Sequence, residues 1–408
     1  MQFRFAQPDE IPDIAQLVAH SFIGRSLDFW SAQLRDPPQG GGVGALLVGH
    51  SDGALVASLQ LLPLKQWIGG SALPVAGVGT VTVAPTHRQQ GIASALMVQA
   101  LRAASERGDV ASALYAFRYT FYQKLGYGAA GIALQYLVPP DSLPASEARQ
   151  QVERLEGAQR NEVLELYNRW IRTQNGQLER TARMWEHAYD APNTALVGYR
   201  NADGALEGYA LVVYRADLPV TERFLEVNEL VWTTAAARSG LFGWLASLSD
   251  QWQRILIRAL PSHQLGEIIR EPVLPRGSAP LWGLYVPSAT QLIGPMFRLL
   301  DISSAWRQRH VQVSGGMSIG LHVVDGQNGE NSGDWHLQLE NGKAELLRGN
   351  GRDCTLRLDV STLSRLYIGA LKPSVACATG LAECDRPDKL PALDAALALP
   401  EPWMFERF

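Results

Sequence analysis

Residues 79–94 read Gly79-Thr80-Val81-Thr82-Val83-Ala84-Pro85-Thr86-His87-Arg88-Gln89-Gln90-Gly91-Ile92-Ala93-Ser94, and this stretch decides the fold. The β-branched run from Val75 reads as a strand that ends at Pro85, because a proline cannot donate to a continuing ladder. After a turn, Ile92, Ala95, Leu96, Ala100 and Ala103 recur at three- and four-residue intervals, which predicts a helix from about Gly91 to Glu106. In Arg88-x-x-Gly91-x-Ala93 the small residues let backbone amides approach a ligand closely. The helix start adds N–H groups without helical partners and the positive end of the dipole, and Arg88 adds charge-assisted donors. That combination suits a pyrophosphate. On its spacing alone it is equally an ordinary strand–turn–helix with a solvated arginine.

Outward from this stretch the chain alternates strands and helices. Residues 3–5, Ala45 to Gly49 and Leu55 to Leu62 read as strands, and Asp9 as the cap of a helix through Ile14, Leu17 and Val18. Ala111 to Ala116 reads as a buried strand, Tyr119 to Leu125 as a short helix, and Ile132 to Val138 as the last strand of a mixed-sheet α/β domain. Pro139-Pro140-Asp141-Ser142-Leu143-Pro144 is a linker signal. A second pass follows, with a helix at Asn161 to Arg172, strands at Ala195 to Tyr199, Tyr209 to Tyr214 and Leu225 to Trp232, and a helix near Leu241 to Trp252. It reads as a degenerate copy, because Ala235-Ala236-Ala237-Arg238-Ser239-Gly240 lacks the glycine spacing of the first. From Met296 onward, Met317 to Val324, Trp335 to Leu339 and Thr355 to Val360 read as antiparallel strands, with helices at Ser361 to Gly369 and Lys389 to Ala398. The expected fold class is therefore α/β plus α+β, with domains at 1–140, 141–295 and 296–408.

Composition narrows the function. With 46% hydrophobic residues, 19% charged residues and a formal net charge of −4, the chain reads as an ordinary globular protein without a basic footprint for nucleic acid. Cys354, Cys377 and Cys384 are odd in number and have neither disulfide-framework nor zinc spacing, so no metal is expected. The start Met1-Gln2-Phe3-Arg4 lacks signal-peptide character and no apolar run reaches spanning length, so a cytoplasmic location is expected.

Phe121-Tyr122-Gln123-Lys124-Leu125-Gly126-Tyr127-Gly128 shifts the balance at the loop. Together the two segments resemble the signatures of the GNAT acetyltransferase superfamily, the R/Q-x-x-G-x-G/A pyrophosphate loop and the F-Y-x-K-x-G-[FY] segment. That resemblance covers roughly residues 1–138. Val83-Ala84-Pro85-Thr86-His87-Arg88, the tandem second domain, the third domain and the ending Trp403-Met404-Phe405-Glu406-Arg407-Phe408 resemble the enhanced intracellular survival (Eis) family across the whole chain. The resemblance implies two GNAT domains, the second without cofactor, a sterol-carrier-like third domain, and hexameric assembly. It implies acetyl-CoA as cosubstrate and acetylation of a primary amine on a polyamine, an aminoglycoside or a lysine side chain.

By the same resemblance, Val81 and Val83 pair with the pantetheine amides, and Arg88, Gln89, Gly91, Ile92 and Ala93 form the pyrophosphate loop. Tyr122 matches the general acid, with Tyr127 its rival, and Phe408 matches the terminal residue whose carboxylate serves as base. Asp28 and Trp30 are expected to line the amine pocket. Thr80 stands where a phenylalanine can line that pocket, and Arg407 where an acid can precede the last phenylalanine. Losing an acid and gaining a cation disfavours a polycationic aminoglycoside. His87 reads as a capping or solvated residue of the turn. A rival reading makes the chain a hydrophobic-ligand carrier or an assembly protein with vestigial acetyltransferase domains.

Overall fold

The computed structural model describes residues 1–216, 218–219, 222–270, 288–313 and 315–408. They form two units: Met1–Gly131 with Gln174–Met184 and Gly294–Phe408, and Ile132–Thr173 with Trp185–Ile293.

The first unit holds a seven-stranded mixed sheet. Its order is Gln2–Phe5, Leu46–Ser51, Ala54–Ile68, Ser71–Val83, Ala111–Leu114, Met296–Leu299, Gly128–Ala129. On one face lies the helix Ile92–Arg107. Its buried Ile92, Leu96, Met97, Ala100, Leu101 and Ala104 share one stripe and pack on Ala76, Val78 and Leu114 of the sheet. On the other face the helices Ile11–Ala19 and Leu27–Arg35 bury Ile14, Val18, Trp30 and Leu34 against Leu46 and Val48. The expected cap Asp9 does not cap the first of these, which begins without a side-chain cap after a short 3-10 turn at Pro8–Glu10.

Two strand expectations are overturned: Cys354–Asp359 pairs parallel, not antiparallel, with Gly316–Val324, and the last strand expected for the first domain lies elsewhere. Ile132–Val138 does not complete the first sheet; it pairs antiparallel with Ile255–Ala259 and Thr290–Ile293 in the second unit. The first sheet instead receives Met296–Leu299, antiparallel to both Ala111–Leu114 and Gly128–Ala129. Both strands are apolar and alternate suitably, so periodicity identifies each as a strand without saying which sheet it joins. Arg298 on the incoming strand is buried. It donates from Nη1 to the Leu125 carbonyl at 2.7 Å and from Nη2 to both oxygens of buried Asp325, at 2.9 and 2.8 Å. Asp325 also accepts from the amides of Gln327 and Asn328 and from Asn331 Nδ2. The loop after Tyr122 is thereby tied to the C-terminal region.

That region carries a five-stranded sheet, Lys343–Arg348, Gly333–Glu340, Gly316–Val324, Cys354–Asp359, Ala382–Cys384, with helices Ile302–Gln308, Val360–Tyr367, Pro373–Ala378 and Leu390–Ala396. Within the helix Val360–Tyr367, Ser364 Oγ accepts the Leu299 amide and Ser361 Oγ donates to the Tyr127 carbonyl.

The second unit holds its own seven-stranded sheet, ordered Thr290–Ile293, Ile132–Val138, Ile255–Ala259, Leu225–Trp232, Leu206–Tyr214, Thr194–Arg200, Val152–Arg154. Its strand–helix passage runs from Leu225–Trp232 into Ala235–Ala246, so this helix starts earlier than the apolar run from Leu241 suggests. Among the described residues no helix is long and apolar enough to cross a membrane.

Replacing Asp325 with Asn leaves the Arg298 charge buried without its counter-charge. Breaking such a pair by removing one partner typically costs about 3–5 kcal/mol. We expect Asp325→Asn to lower the urea midpoint by a corresponding amount at unchanged m value; an unshifted midpoint would show the pair to be dispensable.

Candidate functional site

A cleft of about 940 Å³ opens in the first unit where two parallel strands part. Ser71–Val83 and Ala111–Leu114 are paired only from Val75↔Ala111 to Val78↔Leu114. Beyond Val78, on the side facing Ala111–Leu114, the first strand continues to Val83 with no ladder partner among the described residues. Its other edge stays paired with Ala54–Ile68, through a bulge in which Gln60 faces Gly79 and Ser58 faces Thr82. Thr80 in that bulge has φ +48°, a left-handed conformation that is rare for a β-branched residue and re-aims the strand at the cleft.

Ten of the expected residues come together here. Val81, Val83, Arg88, Gln89, Gly91, Ile92, Ala93, Tyr122 and Phe408 all line the cleft, as does Thr80. The helix Ile92–Arg107 begins at Gly91, φ +78°, and no side chain caps its first turn. A Cβ at Gly91 would meet no atom within 4 Å, so the glycine serves the backbone angle and leaves open space above the helix start. Arg88 is exposed, its Nε donating to the Val83 carbonyl at 3.3 Å.

The second unit offers the instructive contrast. At the start of Ala235–Ala246, Thr234 Oγ1 accepts the Ala237 amide at 3.1 Å and donates to Glu207 at 2.7 Å. That helix start is satisfied by the chain itself, with a carboxylate already beside it.

Tyr122 and Tyr127 separate clearly. Tyr127 is fully buried away from the cleft, its hydroxyl 2.7 Å from Ser112 Oγ. Burial pushes its phenol up to about 12. Tyr122 lines the cleft, flanked edge-on by Phe117 and Phe121 at 5.7 and 4.9 Å between ring centres. Burial, reinforced by Tyr127, raises its phenol further above the ordinary value near 10.

Phe408 lies across the sheet. A Cβ built on Gly77 would come 3.1 Å from its ring carbon Cε2, and one on Gly79 would come 3.4 Å from its carboxyl carbon. The tail is held by side chains that the sequence did not single out. Tyr115 donates its hydroxyl to the Glu406 carbonyl at 2.8 Å and meets the Phe408 ring edge-to-face. Arg180 forms a buried ion pair with Glu406. Asn175 donates from its side-chain Nδ2 to the Pro400 carbonyl, and its backbone carbonyl accepts the Trp403 amide. Gln60 is a further missed residue: its Oε1 would sit 3.7 Å from a Gly79 Cβ, and its buried Nε2 has no hydrogen-bond partner among the described residues. Tyr115 could have been found, since it follows a parallel strand at its carboxyl end, where ligands bind in open α/β sheets. Arg180 carried no local signal.

Three expected substrate residues fall outside the lining. Asp28 is exposed in the first turn of Leu27–Arg35, Arg407 is exposed, and Trp30 is buried, with its ring 5.7 Å from that of Phe22. Trp30 therefore braces the lining residue Phe22 rather than forming the wall itself. His87 also lines the cleft, with Nδ1 2.9 Å from Thr86 Oγ1.

Residues 2–130 match the Acetyltransferase (GNAT) domain family, residues 176–279 match a second family of the same description, and residues 303–405 match the Sterol carrier protein domain. The chain belongs to the GNAT superfamily of N-acetyltransferases. N-acetyltransferase Eis of Mycobacterium tuberculosis is 29% identical over 374 residues, 87% of each chain, and an uncharacterized N-acetyltransferase of Streptomyces avermitilis is 29% identical over 349 residues, 78% of this chain and 77% of that one. The fold superimposes along the full length of both chains on a GCN5-related N-acetyltransferase from Anabaena variabilis (TM-score 0.85, 22% identity) and on Eis1 from Mycobacterium abscessus (TM-score 0.80, 20% identity). The enzyme is thus an Eis homologue with two GNAT domains and a sterol-carrier-like C-terminal region.

Acetyl-CoA is the cosubstrate of such enzymes, and its phosphates fit the uncapped helix start and the open space at Gly91. Gly91→Glu strains the backbone and puts an anion into that space. Calorimetric titration should show affinity for acetyl-CoA reduced about tenfold or more, equivalent to roughly 1.4 kcal/mol. Unchanged affinity would move the site elsewhere.

Proposed function

We propose that the enzyme passes the acetyl group of acetyl-CoA directly to a primary amine, with Tyr122 as general acid and the carboxylate of Phe408 as general base. The observation that carries this reading is that Tyr122, the Phe408 end and the loop from Arg88 to Ala93 line one cleft.

Arg88, Gln89, Gly91, Ile92 and Ala93 would hold the pyrophosphate, and the partnerless edge at Val81 and Val83 would pair with the pantetheine amides. When bound, acetyl-CoA supplies an activated acyl carbon and a thiolate leaving group. An alkylammonium of ordinary pKa near 10.4 must lose a proton before it attacks. The Phe408 carboxylate, directly or through water, accepts that proton. Gln60 faces the same glycine as that carboxylate: a Cβ on Gly79 would come 3.4 Å from the Phe408 carboxyl carbon and 3.7 Å from Gln60 Oε1. A backbone amide on this edge near Val83 would stabilise negative charge on the acyl oxygen. Tyr122 then delivers its phenolic proton to sulfur. Its raised pKa keeps it in the protonated, active form at neutral and moderately alkaline pH. No step calls for a nucleophilic side chain.

Tyr122→Phe should lower kcat by about 10²–10⁴-fold, with binding of acetyl-CoA nearly unchanged. Tyr127→Phe should cost stability rather than turnover, and loss of turnover in that variant alone would reverse the assignment. A general acid loses activity as pH rises through its folded pKa, and here that value is raised. The profile of kcat against pH should therefore show no alkaline fall through pH 10; a fall near pH 9 that Tyr122→Phe abolishes would show that the phenol is not raised.

Residues added after Phe408 keep its ring but displace the charge from Gly79. Such an extended protein should fold and bind acetyl-CoA yet lose most amine acetylation. Full activity, with the extension intact by mass spectrometry, would eliminate the carboxylate as base.

A further inference from the structure

We propose that Cys354 and Cys384 form a site of reversible oxidation, at which hydrogen peroxide joins the two thiols in a disulfide that clamps the edge strand Ala382–Cys384 onto Cys354–Asp359. The inference is independent of the acetyl-transfer reading.

The chain has three cysteines, and the fold gathers all of them against one part of the core as free thiols. Cys354 opens the strand Cys354–Asp359 and is 3% exposed. Cys384 ends the edge strand, and Cys377 lies in the helix Pro373–Ala378, which packs beside that strand. The two strands are antiparallel, with Leu356 opposite Cys384 and Leu358 opposite Ala382. Side chains alternate along a strand, so Cys354, Leu356 and Cys384 share one face and the two cysteines are diagonal neighbours. One residue further the pairing is doubled. The Asp385 amide donates to the Thr355 carbonyl at 3.2 Å, and Asp385 Oδ1 accepts the Thr355 amide at 2.6 Å. Those bonds pin the residue next to each cysteine, and the two thiols interact directly.

Burial divides the roles. It pushes the Cys354 thiol up to about 12, with Cys384 adding to the rise, so Cys354 stays protonated and covered. Cys384 is half-buried on the outermost strand of the sheet, where a small oxidant reaches it. Its thiolate attacks one oxygen of the peroxide. The O–O bond breaks, and the departing hydroxide takes up a proton as water, leaving Cys384 as a sulfenic acid. The Cys354 sulfur then displaces the sulfenic hydroxyl, which leaves as a second water with the proton from Cys354. Two thiols are oxidised to one disulfide and one peroxide is reduced to two waters. A small dithiol reverses the step by exchange. The consequence is local. Three residue pairs hold the edge strand, and a strand so short with one neighbour in the sheet opens readily. A covalent bond at its last residue holds it closed.

The test treats the reduced, intact chain with hydrogen peroxide, alkylates the remaining thiols, and maps the linkage by peptide mass spectrometry. We expect an intramolecular Cys354–Cys384 disulfide, with Cys377 alkylated and the bond lost on adding dithiothreitol. Hydrogen exchange of the amides of Ala382–Cys384 should slow about tenfold or more in the oxidised protein. Cys377→Ser should leave the linkage intact, and Cys384→Ser should abolish it. In Cys354→Ala, which removes the second thiol with little change of volume, dimedone should trap a sulfenic acid at Cys384. A linkage through Cys377, a linkage only between chains, or no disulfide under peroxide overturns the proposal. So does a disulfide that persists in Cys384→Ser. Unchanged exchange of Ala382–Cys384 in the linked protein overturns the clamp.

Discussion

The guanidinium of Arg298 is the point on which the first unit depends. A charge buried this deeply is tolerated only when it is paired and hydrogen-bonded. Its partners are Asp325 in the C-terminal region and the Leu125 carbonyl in the loop that follows Tyr122. Satisfying one cation therefore fixes three things together: the register of Met296–Leu299 in the first sheet, the docking of the loop at Asp325, and the position of the segment that carries Tyr122. The placement of the tyrosine follows from an ion pair outside the cleft.

The cleft is composite for the same reason. Its phosphate end is local, a single strand–turn–helix. Its opposite end is assembled from distant pieces, with Gln174–Met184 contributing Asn175 and Arg180, and the tail contributing Glu406 and Phe408. The two GNAT domains differ at the corresponding helix start. In the first, glycine opens the helix and its start is uncapped; in the second, Thr234 and Glu207 occupy the corresponding place. One threonine and one glutamate supply what an anion would otherwise bring.

What was legible in the sequence divides along this line. The loop at 88–93 and the segment at 121–128 could be read because their chemistry is local: a proline ends a strand, a glycine takes a positive φ, and a helix starts without a cap. The exchange of Ile132–Val138 for Met296–Leu299 could not be read, since both strands have the same period and only tertiary pairing distinguishes their sheets. Trp30, expected to line the amine pocket, is outside the lining of the cleft and packs against Phe22. Gln60 and Arg180 were invisible because their significance lies in what they face across the fold. Gln60 reads as a polar interruption of an apolar strand until Gly79 and Phe408 are seen opposite it.

The exchanged strand also bears on how the chain comes into being. The first sheet cannot close when Gly131 is made; it waits for Leu299. At ordinary rates of synthesis, roughly 5–20 residues per second, the ribosome needs on the order of ten to thirty seconds to cover that interval. Throughout it, Ala111–Leu114, buried along its whole length in the folded chain, presents an unpaired edge, the kind of surface that recruits strands from other chains. Residues 2–130, which look self-contained by family match, are in this sense an unfinished object. A nascent chain of this enzyme is a natural client for whatever shields exposed strands in the cell, and the native partner that relieves the need is a four-residue piece of itself.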